Sequence, residues 1–321
     1  MTAAVTEILD ARTPVTYVWS YEPSRDDLRS LYDKAKQEQW DGRTLLPWHH
    51  EVDPEAENLP DAYIPIYDSP IWRKLSARNV REVRQHQYSW MMSQFLHGEQ
   101  GALLGTSQLV VTMPLADARC FAATQVIDEA RHVEVFERYL REKLKLTYAP
   151  SRHLRALLDQ ILTDSRWDVK LLGMQILVEG LALASFRMIH NFTCEPLAKD
   201  VLHNVMRDEA RHVAFGVRAL EAFYADGVNE RELRERQEFT YEACRLMRDR
   251  FLSEDVWQNL GLPMAECLEL SLHSPAMIEF RRLLFARIVP NVKRLGLLTP
   301  WLRERFDELG ILQYEALPAD G

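Results

Sequence analysis

Two stretches of this 321-residue chain repeat a pattern able to bind metal. Asp128-Glu129-Ala130-Arg131-His132-Val133 recurs 80 positions later as Asp208-Glu209-Ala210-Arg211-His212-Val213. At the same offset, Glu99-x-x-Ala102-Leu103 recurs as Glu179-x-x-Ala182-Leu183. In a helix, Glu and His three residues apart leave one face about one turn from each other. Each Glu–His pair can therefore hold one metal ion. A single such pair is common on surfaces and means little; two copies, each preceded by a Glu in an apolar stripe, mean more. Glu99 shares its face with Phe95, Ala102 and Leu103, Glu129 with Val133 and Phe136, Glu179 with Ile176 and Leu183, and Glu209 with Val205 and Val213. An ionised carboxylate on such a face is expensive to bury. Four facing inward need cations, and two divalent metal ions supply the charge.

The elements that must position these groups follow from the spacing. Glu99 and Glu129 are 30 residues apart with Pro114 midway, and Glu179 and Glu209 are again 30 apart around the Cys194–Pro196 break. A continuous helix would part each pair by ~45 Å; an antiparallel hairpin brings them level. Apolar periodicity predicts four long helices over 78–112, 115–146, 167–193 and 196–225, with a shorter one over 151–164. Upstream, a helix over 24–39 with Ser24 as N-cap precedes a stretch holding Pro47, Pro54, Pro60, Pro65 and Pro70. That stretch reads as an extended arm anchored by Trp40, Trp48, Tyr63 and Tyr67. Downstream, helices are expected over 229–259, 263–272, 275–288 and 299–309. The expected organisation is one all-α domain: an N-terminal arm (1–70), a four-helix bundle (71–228) and C-terminal helices packed on it (229–321).

One Glu from each of two helices, with Glu-x-x-His from each of the other two, is the ligand set of ferritin-like di-iron bundles. The two DEARH segments resemble the DExRH motifs of bacterial multicomponent monooxygenase hydroxylases. They are similar to those of ribonucleotide reductase small subunits, their ligand-binding oxidase relatives and stearoyl-type desaturases. The resemblance covers roughly residues 78–225. It implies a ferritin-like four-helix bundle with additional N- and C-terminal helices, holding two iron ions or a Mn/Fe pair. Glu99, Glu129 and His132 would bind one metal, Glu179, Glu209 and His212 the other, and two of the glutamates would bridge. The implied function is a non-haem di-iron oxygenase using O2 to oxidise a small organic substrate, of monooxygenase, N-oxygenase or desaturase type. The alternatives are a ligand-binding Mn/Fe or di-iron oxidase and a radical-generating subunit of a larger complex.

Departures from these relatives narrow the choice. Reductase subunits carry a radical tyrosine one turn after the first His ligand, where this chain has Phe136. Ligand-binding oxidases carry a cross-linking tyrosine at the position of Met174, and monooxygenase hydroxylases a threonine near Ala182 and Leu183. Arylamine N-oxygenases add a third histidine at the position of Val205.

Metal-bound histidines usually donate their other ring N–H to a carboxylate. In a two-fold arrangement Asp128 reaches His212 and Asp208 reaches His132, with Arg131 and Arg211 pairing with those aspartates. Ala102, Thr106, Phe136, Leu183, Phe186 and Val205 are expected to line a pocket for a substrate with an apolar or aromatic part, although such a stripe also reads as core. Gly98, Gly101, Gly105, Gly173 and Gly180 cluster near the two single glutamates; they mark either close helix packing or a π-bulge with open space. His97 points away from the Glu99 face, His190 reads as core or pocket wall, and His49-His50-Glu51 sits in the Pro-rich loop without a partner at helical spacing.

Net charge is −9 with no dominant basic block, which argues against nucleic acid. The basic stretch Arg281, Arg282, Arg287, Lys293 and Arg294 reads as a solvated face or a docking patch for an acidic donor. No apolar run reaches the ~18 residues of a membrane span. The N-terminal segment, acidic early, does not read as a signal peptide. Cys120, Cys194, Cys244 and Cys267 form no CxxC pair and read as buried free thiols of a cytoplasmic protein. There is no dinucleotide loop, P-loop or iron–sulfur cysteine set. Electrons must come from an external donor, a ferredoxin or reductase, or from the substrate. A homodimer is expected.

Overall fold

The computed structural model describes residues 6–19, 21–22 and 24–319. The N-terminal segment weighed above as a signal peptide thus falls partly outside the described residues, at 1–5. Among the described residues the regular structure is entirely helical. A first hairpin pairs α2 (Ala77–Thr112) with α3 (Ala116–Tyr139), which runs on into a π-helical turn, Leu140–Leu144. A second pairs one long helix with α7 (Pro196–Ala225). That long helix consists of α5 (Trp167–Leu171), a π-helical stretch Leu172–Val178 and α6 (Glu179–Phe192). α1 (Asp26–Gln37) lies against the bundle and α4 (Arg152–Thr163) links the hairpins.

Local chemistry sets these boundaries. The Ser76 side chain accepts the Asn79 N–H at the start of α2, and Pro114 follows its end. Pro196 opens α7, where Glu195 accepts the N–H groups of Leu197 and Ala198. Ser24 does not cap α1; its N–H instead donates to Asp117 at 2.9 Å, tying the arm to α3.

α8 (Glu230–Asp249) starts with a capping box between Asn229 and Glu232. The single helix expected over 229–259 breaks. A short 3-10 turn, Arg250–Leu252, leads to Ser253, whose φ of 54° reverses the chain before α9 (Glu254–Asn259). α10 (Met264–His273), α11 (Pro275–Leu284), α12 (Ile288–Arg294) and α13 (Pro300–Glu308) follow, and then a short 3-10 helix, Leu312–Ala316. The expected helix 275–288 is likewise split, by a turn at 285–287. One apolar cluster joins Leu28 of α1, Leu172 and Ile176 of the bundle, and Leu302 and Phe306 of α13.

The helix Trp167–Phe192 is long and apolar enough to cross a membrane, but 89% of its apolar window is buried inside the protein. All four cysteines are free, yet Cys120 and Cys194 are exposed, unlike the buried thiols expected. The basic stretch is no single open patch: Arg281 is buried and donates to the Ser271 and Leu272 carbonyls, and Arg294 pairs with Glu221 at 2.8 Å.

Candidate metal centre

Six side chains from α2, α3, α6 and α7 converge at mid-bundle. Glu99 is 5% exposed and Glu129, His132, Glu179, Glu209 and His212 are 3% exposed or less. His132 Nδ1 lies 3.2 Å from Glu99 Oε2, 3.4 Å from Glu129 Oε2 and 3.1 Å from Glu209 Oε1. His212 Nδ1 lies 3.2 Å from Glu129 Oε1, 3.5 Å from Glu209 Oε2 and 3.9 Å from Glu179 Oε2. Glu129 and Glu209 thus each turn one oxygen toward one histidine and the other oxygen toward its counterpart. Donor atoms of Glu99, Glu129, His132 and Glu209 lie within 4.8 Å of one another, as do those of Glu129, Glu179 and His212.

The donor set fits cations. Glu129 Oε2, Glu179 Oε2, both Glu209 oxygens and His212 Nδ1 are buried without a hydrogen-bond partner. Orphaned buried acceptors are costly, and here they face a common centre. Among the described residues, His49, His50 and Glu51 join no metal-capable group. His97 Nε2 lies 2.8 Å from the Tyr148 carbonyl, and His190 sits against His203.

The aspartates cross between halves. Asp208 Oδ2 is 3.1 Å from His132 Nε2, and Asp128 Oδ2 is 3.2 Å from His212 Nε2. Arg131 pairs with Asp128 and, at 3.0 Å, with Asp208; Arg211 pairs with Asp208. The end of α1 covers this network: Gln39 donates to Asp128 at 2.8 Å, the Trp40 indole N–H donates to Asp208 at 2.8 Å, and Glu38 accepts from Arg211 at 2.6 Å. Trp40 is therefore more than a packing anchor.

Sequence reasoning missed Gln125. Its amide donates to Glu129 at 3.0 Å and to Glu179 at 2.9 Å, fixing two carboxylates at once. The repeat contains a signal, because the position 80 residues on is Val205, a polar-to-apolar change one turn before the Glu-x-x-His motif.

Of the residues expected to line a pocket, Ala102 borders a narrow cleft against the Glu99, Glu179 and Glu209 carboxylates, with Gln94, Phe95, Gly98, Val178, Ala182 and Arg250. Thr106 instead meets Gln175, Leu183 joins the main core, and Phe136, Phe186 and Val205 pack in a second apolar cluster. There Phe186 sits 4.7 Å from Phe95 and 5.7 Å from Phe136, centroid to centroid, sealing one flank against water. The glycines divide. A Cβ on Gly101 would meet Leu158 at 2.4 Å and one on Gly173 would meet Ile161 at 2.7 Å, which is close packing; at Gly98 nothing lies within 4 Å. Of the two helices that carry a single glutamate, the Glu179 helix has a π-helical stretch, Leu172–Val178, and α2 is α-helical throughout.

Without metal, protons carry the charge balance. Burial, then the Glu209 carboxylate, raises Glu99 and Glu179 well above their ordinary 4.5. Burial alone would lower His132 and His212, but the surrounding carboxylates outweigh it and hold both well above 6.5. Groups whose pKa is higher folded than unfolded bind extra protons in the native state, so their stabilisation is present at low pH and lost as pH rises. Metal-free protein is expected to lose stability progressively above about pH 4.5 as the glutamates contribute, and further above about 6.5 as the histidines do. Iron-loaded protein should show the opposite slope, since metal displaces these protons. Urea denaturation from pH 5 to 8 with and without iron checks both signs.

A duplicated helical hairpin enclosing four carboxylates and two histidines defines a ferritin-like di-metal carboxylate protein. The fold recurs in solved variants of an R2-like ligand-binding oxidase with an anaerobically reconstituted Mn/Fe cofactor. One is 16% identical, with 84% of this chain and 93% of that chain covered and a TM-score of 0.50; another is 16% identical over 85% and 93%, with a TM-score of 0.49. No curated protein sequence matches. The family model described as p-aminobenzoate N-oxygenase AurF matches residues 22–296, and the chain belongs to that family. It is an O2-dependent oxidoreductase with a di-iron or Mn/Fe centre.

Proposed function

We propose that Glu99, Glu129, His132, Glu179, Glu209 and His212 hold two iron ions, with Glu129 and Glu209 bridging, and that the centre oxygenates the amino group of an aromatic amine. The observation that carries this is the buried cluster of unpartnered carboxylate oxygens facing two histidines, in a chain of the N-oxygenase family. When bound, the metal pair would supply O2 activation and the electron transfer that goes with it. The protein's share is positional. Asp208 and Asp128 hold the rings of His132 and His212 with Nδ1 facing the metals. Gln125 steadies Glu129 and Glu179, and the Phe95, Phe136 and Phe186 cluster excludes water. Val205 supplies no ligand, so the set is six side chains.

The organic substrate enters the cleft beside Gly98, Ala102 and Ala182, whose small side chains favour a flat apolar body. Electrons come from a separate ferredoxin or reductase. The arm, bundle and C-terminal helices act as one domain through their shared core. A cytoplasmic location and a homodimeric state, both expectations of the sequence, are tested by fractionation and light scattering.

The deciding experiment supplies iron-loaded protein with a chemical reductant, 18O2 and 4-aminobenzoate or 4-aminobenzamide. Mass spectrometry should find 18O on the amine nitrogen. Oxygen on ring carbon only, or O2 consumption with no organic product, would overturn the N-oxygenation assignment.

A further inference from the structure

A second chamber lies between the proline-rich arm and the helices, apart from the metal-side cleft. Its walls come from α2, the end of α6, the turn at Ser253 and α11, and arm residues between 56 and 64 complete them. Arg84 of α2 fastens the arm there: its guanidinium donates to both Asp61 oxygens, at 2.8 and 2.7 Å. Chamber and cleft share no lining residue. Met91 lies eight residues before Glu99, and Met188 nine after Glu179. The chamber is therefore displaced about 12–14 Å along the helices from the level of the metal-binding carboxylates.

Its surface is mostly apolar. Met91, Met188 and Met277 supply flexible walls, and the Phe280 ring stands 6.2 Å from Tyr63 and 5.4 Å from Phe251, centroid to centroid. Two polar groups from one turn of α2 interrupt that surface. Trp90 is 3% exposed, and its indole N–H has no hydrogen-bond partner among the described residues. Gln87 donates its amide to the Ser253 hydroxyl at 3.0 Å, while its Oε1 is buried and unpartnered. A buried donor and a buried acceptor left unpaired are each costly, and a ligand that pairs with both removes that cost. Among the described residues Arg84 is the one charged side chain lining the chamber, and Asp61 and Glu57 already meet its charge. An ion would find no counter-charge here. We infer that the chamber binds a neutral molecule with an apolar body and an amide-like head, which accepts from Trp90 and donates to Gln87. Free volume is about 60 Å³ with the side chains as they stand, less than the ~150 Å³ of a cavity that holds benzene. Methionine is unbranched and repacks readily, so a ring enters as the three thioether side chains turn aside.

The inference does not depend on the oxygenase reading, and its test does not read turnover. Iron-loaded protein carrying 13C in its methionine methyl groups is titrated with benzamide, benzoate and toluene and followed by NMR, each signal assigned from a Met→Leu variant. Benzamide should shift the Met91, Met188 and Met277 signals saturably. Benzoate should act on the same three signals at least 10-fold more weakly, because its charge would be buried without a partner. Gln87→Met and Trp90→Phe should each weaken benzamide about 5- to 10-fold, the scale of one neutral hydrogen bond, and leave toluene unchanged. General damage to the chamber would weaken both probes alike. If Trp90→Phe fails to fold, Gln87→Met carries the comparison alone. No saturable shift at these three methionines, benzoate held as tightly as benzamide, or equal loss of benzamide and toluene in the variants would overturn the proposal.

Discussion

Replacing Glu129 with alanine is expected to empty both metal positions, not one. Glu129 is fully buried and presents Oε2 toward His132 and Oε1 toward His212. It also accepts the Gln125 amide that steadies Glu179. Burial would raise its carboxyl, but the charges of His212 and then the hydrogen bonds of both histidines hold it well below the ordinary range, so it stays ionised and available to metal. Removing it takes a ligand from each ion and leaves His132 and His212 nearer mutual repulsion. Iron per chain should fall from about two to well under one, because a bridging ligand is worth more than the 10- to 100-fold affinity carried by an outer hydrogen bond. Glu99→Ala removes a ligand of one ion and should leave roughly one iron bound. Colorimetric iron analysis after dialysis distinguishes these outcomes; equal retention in the two variants would sink the bridging role of Glu129.

Asp208→Ala should be nearly as damaging, through two separate consequences. The carboxylate receives His132 Nε2, the Trp40 indole, Arg131 and Arg211, and is 1% exposed. Burial opposes its ionisation, yet the hydrogen bond and charge of His132, together with Trp40, keep it far below the ordinary carboxylate range. Its loss frees the His132 ring to turn, costing about 10- to 100-fold in iron affinity. It also takes one carboxylate partner from each of two buried guanidinium groups, Arg131 keeping Asp128 and Arg211 keeping Glu38, for which a loss of about 1–3 kcal/mol of folding stability is expected. Chelator competition reads the first effect and urea denaturation of metal-free protein reads the second. Asp208→Asn retains an acceptor for Trp40 and should lose affinity with a smaller loss of stability.

The central geometry was legible in the sequence because it is periodic. Glu99, Glu129, Glu179 and Glu209 occur at offsets that a helical hairpin brings level, and the repeat made the four helices visible as two pairs. Pro114 and Pro196 marked the turns because proline cannot continue a helix. Features without a period were not legible. Gln39 and Trp40 come from a segment outside the repeat, so nothing along the chain tied them to Asp128 and Asp208. The break after Asp249 falls in a stretch, Leu246 to Trp257, with no proline or glycine. Ser253 turns the chain with a left-handed backbone that non-glycine residues adopt rarely, and Arg250 was hidden with it. Phe136, Phe186 and Val205 lie on an inward stripe, but inward faces hold both core and cleft, and only packing tells them apart.

The π-helical turn before Glu179 has a consequence for the metals themselves. The duplicated motifs are alike letter by letter, yet one helix is wound more loosely than its twin, Glu179 stands 3.9 Å from its histidine where Glu99 stands 3.2 Å, and a glutamine touches one side where a valine faces the other. The two seats therefore offer unequal donor surroundings to the ions they would hold, and a mixture of manganese and iron is expected to divide unequally between them.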